Sequence, residues 1–238
     1  MTEDTRYKRD YLQGGADWTH RFANSKLETT LSASDARETV DRAGESERDY
    51  TAGPGVSVPY TFFDDRHDRL QTFSSKLTGT SSPLLWSTGV LAEHRRVSVD
   101  NLTTAGGTVP QQLNIGVATQ RNALWGQNEW ELPANTTLTA GLRYESLTIR
   151  SDDATLLSQR STHFLQPSLH LRTPVDENLQ FRANLARVTR KPNIWDLVDR
   201  SIPSQGNNSI NNPDVVGNPD LRPEVAWTFD TGFERRVR

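Results

Sequence analysis

Few residues in this chain could carry out chemistry. Five histidines, at 20, 67, 94, 163 and 170, show no metal-ligand spacing such as H-x-x-x-H. Cysteine is absent, so neither disulfides nor thiolate metal sites are available. There is no G-x-S-x-G element and no phosphate-cradling glycine loop. The acid pairs Asp64-Asp65 and Asp152-Asp153 could hold calcium weakly, but they read first as solvated loop charges. No catalytic residue, cofactor or metal site is expected, and the chain is not expected to be an enzyme.

What remains is recognition chemistry. Tyr50, Tyr60, Phe62 and Phe63 could stack on a catecholate or a sugar ring. Arg190, Lys191 and Arg200 could pair with an anionic ligand. Asn207, Asn208, Asn211 and Asn212 could hydrogen-bond a polar ligand, although such a run is first of all turn chemistry. These residues lie in or beside irregular stretches, so the regular elements must position them.

Those elements are extended. Hydrophobic residues make up 34% of the 238 and mean hydropathy is -0.69. No window approaches the roughly 18 apolar residues of a spanning helix. A membrane barrel stays open, because its strands carry apolar residues only at every second position. A net charge of -3 and a pI near 6.0 give no sign of a nucleic-acid partner.

Alternation is clearest from Glu224 to Val237. Val225, Trp227, Phe229 and Phe233 share one face there, opposite Glu224, Thr228, Asp230, Glu234 and Arg236. That run is far longer than the soluble strand of about five or six residues. Leu165, Pro167, Leu169 and Leu171 repeat the pattern, as do Leu179, Phe181, Ala183 and Leu185. Leu138, Ala140, Leu142 and Tyr144 share a face before the apolar side switches to Leu147 and Ile149. The switch predicts a bulge, or emergence from the apolar layer, near Glu145. Stretches 41–68 and 100–110 read as irregular.

Connections near 23–25, 79–83, 133–135 and 174–177 are tight. Those at 41–68, 100–110, 151–160 and 191–223 are longer. Strict alternation of short and long is the mark of an up-and-down barrel across an outer membrane. Trp18 and Trp86 sit near tight turns, where an interfacial girdle belongs. The expected fold is all-β, an antiparallel up-and-down transmembrane β-barrel segment of nine long strands. Bacterial barrels have even strand counts, so nine implies an arc of a larger one.

With that rhythm in view, the stretch L-A-R-V-T-R-K-P-N-I-W-D-L, then N-N-P-D-V-V-G-N-P-D-L-R-P-E and an alternating strand, resembles TonB-dependent outer-membrane receptors. Gly217, Asn218, Pro219, Leu221, Pro223 and Glu224 occupy the family's G-N-P-x-L-x-P-E element. F-L-Q-P-S-L-H-L at 164–171 resembles its F-x-P strand. The resemblance implies a barrel of about 22 strands around an N-terminal plug. It further implies uptake of a scarce ligand, most often a ferric siderophore and sometimes cobalamin, haem or a glycan, powered by the TonB complex. The implied setting is the bacterial outer membrane, with lipid, lipopolysaccharide, the plug and the remaining strands as partners.

Neither plug, energy-coupling box, signal peptide nor terminal aromatic strand is seen, so residues 1–238 are expected to be one partial barrel domain. Alone, such a piece is expected to be unstable as a monomer, since it leaves two strand edges unpaired. Arg172 and Arg182 are expected to face the plug. Pro219 and Pro223 fix φ and push Asn218 and Arg222 toward extended conformations, while Gly217 permits a turn. Setting the next strand's register accounts for this element better than ligand contact does. Loop self-packing and lipopolysaccharide phosphates likewise compete with ligand for the aromatic and basic loop residues. Two other classes are weighed: a soluble β-rich binding module, which requires sheets packed face to face, and a surface hydrolase, for which no nucleophile constellation is found.

Overall fold

A computed structural model describes residues 3–48, 56–81, 84–105, 111–152, 157–192, 196, 201–202, 210, 215–216, 218 and 221–236. Its strands are β1 (Glu3–Arg21), β2 (Ser25–Arg48), β3 (Val56–Ser81), β4 (Leu84–Ala105), β5 (Gln111–Leu132) and β6 (Thr136–Asp152). They continue with β7 (Leu157–Pro174), β8 (Leu179–Arg190), β9 (Ser201–Ile202), β10 (Val215–Val216) and β11 (Glu224–Arg235). Nine strands form one antiparallel sheet in the order β1 to β8, then β11, while β9 and β10 pair separately. Neighbours in sequence are neighbours in space, which is the up-and-down arrangement. Among the described residues no second sheet packs face to face on the first, so the soluble sandwich is set aside.

Register aligns the apolar rows. Residues directly opposite in an antiparallel ladder share a face. Leu31 faces Phe73, which faces Ala92. Val90, Leu124, Tyr144 and Leu165 follow one another across β4 to β7. Ala140, Leu169, Leu185 and Phe229 do so across β6 to β11. These three rungs together cover β2 to β8 and β11 on one side, and their large side chains stay exposed, Leu124 at 57% and Phe229 at 68%. A soluble protein would bury such a surface; this one requires an apolar solvent.

Near the short turns this face carries rings. Trp18 stacks on His20 at 5.7 Å, His20 meets Phe22 edge-on at 4.5 Å, and Phe181 lies 5.3 Å from Phe233. Trp86 covers Gly79, its ladder partner, so closely that a Cβ there would meet the indole at 2.3 Å. In the three-residue turn at 133–135, Thr136 N donates to the Pro133 carbonyl at 3.4 Å and the central Ala134 and Asn135 sit at φ 59 and 54, the positive φ of a primed turn.

Two expectations need correction. The stretch 41–68 is not irregular: β2 runs to Arg48 and β3 starts at Val56. Likewise β4 reaches Ala105 within the expected loop at 100–110. Polar rungs hold these arms together. Arg37 donates to both oxygens of Asp65 at 3.0 and 2.6 Å, and Arg95 does the same to Asp68 at 2.9 and 2.5 Å. Thr61 and Thr104 hydroxyls also bond across β3 and β4.

The bulge near Glu145 does not form, since β6 keeps one register along its length with both β5 and β7. Instead the sheet inverts its polarity. Beyond the level of Phe73, Ala92 and Tyr144, the formerly apolar face carries Asp35, Arg37, Asp65, His67, Arg69 and Arg96. At the same height the other face becomes apolar with Val40, Val97, Val99, Ile115, Val117, Leu147 and Phe164, all at most 9% exposed. Leu147 is thus the visible part of an inversion that spans the sheet.

Candidate ligand-facing surface at the loop end

Strand parity decides what each candidate residue faces. Tyr60 and Phe62 project from β3 on the polar face, opposite Gly44 and Arg42. The Tyr60 ring fills the space over Gly44, where a Cβ would come within 3.1 Å of it. Arg42 lays its guanidinium over the Phe62 ring at 5.8 Å, and its buried Nε has no hydrogen-bond partner. Phe63 points to the opposite face and is 41% exposed. The aromatic cluster of the sequence is therefore split, and the part on the polar face gains Arg42. Only the register with β2 reveals that cation.

The acid pair is split as well. Asp64 is on the polar face, where burial pushes its carboxyl up and the Asn101 amide donates to it at 3.4 Å. Asp65 is on the outer side, and the hydrogen bond from Arg37 holds its carboxyl below the usual range. They cannot share one cation.

Deeper on the polar face lies a hub that spacing did not suggest. The Glu145 side chain is 2% exposed. It accepts from Arg121 Nε and Nη2 at 3.0 and 3.1 Å and from Arg143 Nε and Nη2 at 3.2 and 3.1 Å. Lys191 Nζ reaches the same carboxylate, and Glu93 lies 3.6 Å from Arg121. Lys191 is thus an anchor for the start of the long connection. Its neighbour Arg190 lies at the surface, 3.8 Å from Glu224.

The family element does backbone work. Asn218 N donates to the Asp196 carbonyl at 2.7 Å, and Leu221 N donates to the Asn218 carbonyl at 3.1 Å. The first bond ties the two ends of the connection together, and the second closes a local turn before β11. Glu224, at its close, opens β11 directly opposite Arg190, the last residue of β8. Leu221 is exposed and Pro223 half-buried. Tyr50, Asp153, Arg200, Asn207, Asn208, Asn211, Asn212, Gly217 and Pro219 lie outside the described residues.

Near the short turns, Arg172 and Arg182 stand directly opposite each other on the polar face. Arg182 pairs with Glu234, and Arg172 donates to Thr137 Oγ1 at 3.3 Å. They border an open depression of about 570 Å³ that His170, Asn184 and Asp230 also line.

Comparison with known proteins agrees with this geometry. No curated protein matches the chain in sequence. Among solved structures, the copper transporter OprC is 14% identical with a TM-score of 0.58, covering 98% of this chain and 43% of its own. The ferric citrate transporter FecA, unliganded, is 13% identical with a TM-score of 0.61, covering 97% and 32%. The ferric yersiniabactin uptake receptor FyuA from Yersinia pestis is 11% identical with a TM-score of 0.59, covering 97% and 34%. The chain therefore spans less than half the length of these proteins. The family described as TonB dependent receptor-like, beta-barrel, matches residues 1–237. This chain belongs to that family of bacterial outer-membrane barrels.

Proposed function

We propose that the chain forms part of the wall of a receptor that takes up a scarce ligand, a ferric siderophore foremost, with energy from the TonB complex. The observation behind this reading is the surface formed by Tyr60, Phe62 and Arg42 on the polar face at the loop end. Rings beside a guanidinium suit an anionic chelate that carries planar groups. Structural neighbours named for ferric citrate and ferric yersiniabactin support the same class. In this reading Arg190 and Arg200 are further contact candidates, whereas Phe63 faces outward and Lys191 is held by Glu145. The 217–224 element aims β11, and Arg172 and Arg182 meet a plug.

The test is a fluorescence titration of the protein in detergent micelles with ferric catecholate, ferric hydroxamate, ferric citrate, haem, cobalamin and an oligosaccharide. One ferric chelate is expected to bind, and Phe62→Ala and Arg42→Gln should each weaken it by about tenfold. Binding of haem, cobalamin or the oligosaccharide alone would move the ligand class. Binding of none would overturn the reading.

A further inference from the structure

The rung beneath Arg42 and Phe62 is acidic. Asp64 follows Phe62 by two residues on β3, so it projects from the same face, about 7 Å along the strand. Directly opposite stand Val40 on β2 and Asn101 on β4. The Asn101 amide donates to the carboxyl at 3.4 Å, and its own carbonyl accepts from the Thr103 hydroxyl at 3.1 Å. Two other acids of β3, Asp65 and Asp68, are each clamped by an arginine. Asp64 has an amide instead, and Arg42 lies over a ring.

Register also fixes the charges around it. On β2, Glu38 and Arg42 flank Val40, and on β3 Arg66 shares the face while Asp65 lies on the other. From β1, Tyr7 stands opposite Val40, with Arg9 opposite Glu38. Burial is the largest influence and pushes the carboxyl up; Glu38 and Asp65 act in the same sense, Asn101 and Arg66 against it. Ionised, Asp64 repels an anion seated one rung away and offers it no donor. Protonated, it is uncharged and presents an O–H.

We propose, resting on the reading of the Tyr60, Phe62 and Arg42 surface as the ligand site, that Asp64 selects the charge of the cargo: it admits an anionic chelate as it takes up a proton, so capture tightens as pH falls. Unit charges about 7 Å apart, at an effective dielectric constant of about 40, change affinity by about tenfold. Reciprocally, a bound anion moves the Asp64 titration upward by about one pH unit.

The experiment is a fluorescence titration in detergent micelles from about pH 7 to about pH 4, just above the ordinary aspartate value. Ferric citrate and a ferric tris-catecholate are the anionic probes, and a cationic ferric trihydroxamate is the comparison. At about pH 7, Asp64→Asn should bind an anionic probe about tenfold more tightly than the parent, with the gap closing toward about pH 4. Ionisation of a probe is common to both proteins and cancels. Asp64→Glu should follow the parent, and the cationic probe should gain nothing from Asp64→Asn. Gel mobility without heating verifies folding. If Asp64→Asn fails to fold, carboxyl NMR of the parent with gallium(III) citrate decides, and an unmoved Asp64 titration overturns the proposal. Equal anion binding by parent and Asp64→Asn, an equal gain for the cationic probe, or binding of that probe alone overturns the proposal and leaves the ligand site standing. Binding of no chelate at any pH removes both.

Discussion

Replacing Glu145 by Gln isolates the hub at the root of the long connection. The substitution keeps size and shape but removes the negative charge that Arg121, Arg143 and Lys191 share. Leaving a buried charge without its partner costs about 3–5 kcal/mol. Here the three cations keep 28–29% of their side-chain surface exposed, so water compensates in part. Glu93, 3.6 Å from Arg121, offsets one of them. The low end, about 3 kcal/mol, is therefore expected, about a hundredfold in the unfolding equilibrium. Lys191→Met removes one cation and leaves Glu145 held by two arginines, so about 1 kcal/mol is expected. Contacting residues are not additive, and the double variant should cost less than the sum. Urea unfolding in detergent micelles, followed by tryptophan fluorescence and by gel mobility without heating, measures all three. A Gln variant within about 0.5 kcal/mol of the parent would show that the carboxylate organises nothing.

Leu169→Arg, on the apolar face midway along β7, should cost about 2–4 kcal/mol in a bilayer. His170→Arg, one residue on and facing the polar side, should stay within about 1 kcal/mol; equal effects in urea titrations of the two would refute the assignment of faces. The Arg37 hydrogen bond lowers the Asp65 pKa, so the folded protein holds this carboxyl ionised where the unfolded chain would protonate it. Its contribution is complete above the ordinary aspartate value and fades as pH falls through the lower folded value. Carboxyl NMR from about pH 5 to about pH 2 should show Asp65 titrating late, and earlier in Arg37→Gln; an early Asp65 in the parent would refute the pairing. Without detergent, the open edges of β1 and β11 should drive association, and a monomeric boundary in sedimentation velocity would contradict this.

The sequence made the lower part of the wall legible. Leu138 to Tyr144 and Val225 to Phe233 alternate because lipid on one side and a polar space on the other impose a period of two. The family element was legible because two prolines and a glycine restrict the backbone in recognisable ways. Glu145, in contrast, is a single acidic residue inside an alternating run. Its three cations come from β5, β6 and the end of β8, and only the ladder brings them together. Arg42 was missed for the same reason, being twenty residues from the ring it covers.

The inversion explains why stretches 41–68 and 100–110 looked irregular. Below the boundary an apolar residue on an even position of β4, such as Trp86 or Ala92, means lipid. Above it the outer side meets water, and apolar residues move to odd positions, as Val97 and Val99 do. A periodicity scan that crosses the boundary adds two patterns of opposite phase, which cancel, and the strand seems to end. What ends there is the lipid. An unbroken register with a reversed phase therefore measures how far each strand projects beyond the membrane. In β2 and β3 that projection carries Arg42, Tyr60 and Phe62 well past the apolar band. The residues proposed to meet a ligand thus stand on paired strands. Their mutual geometry is set before any ligand arrives, which is the arrangement that lowers the ordering cost of binding.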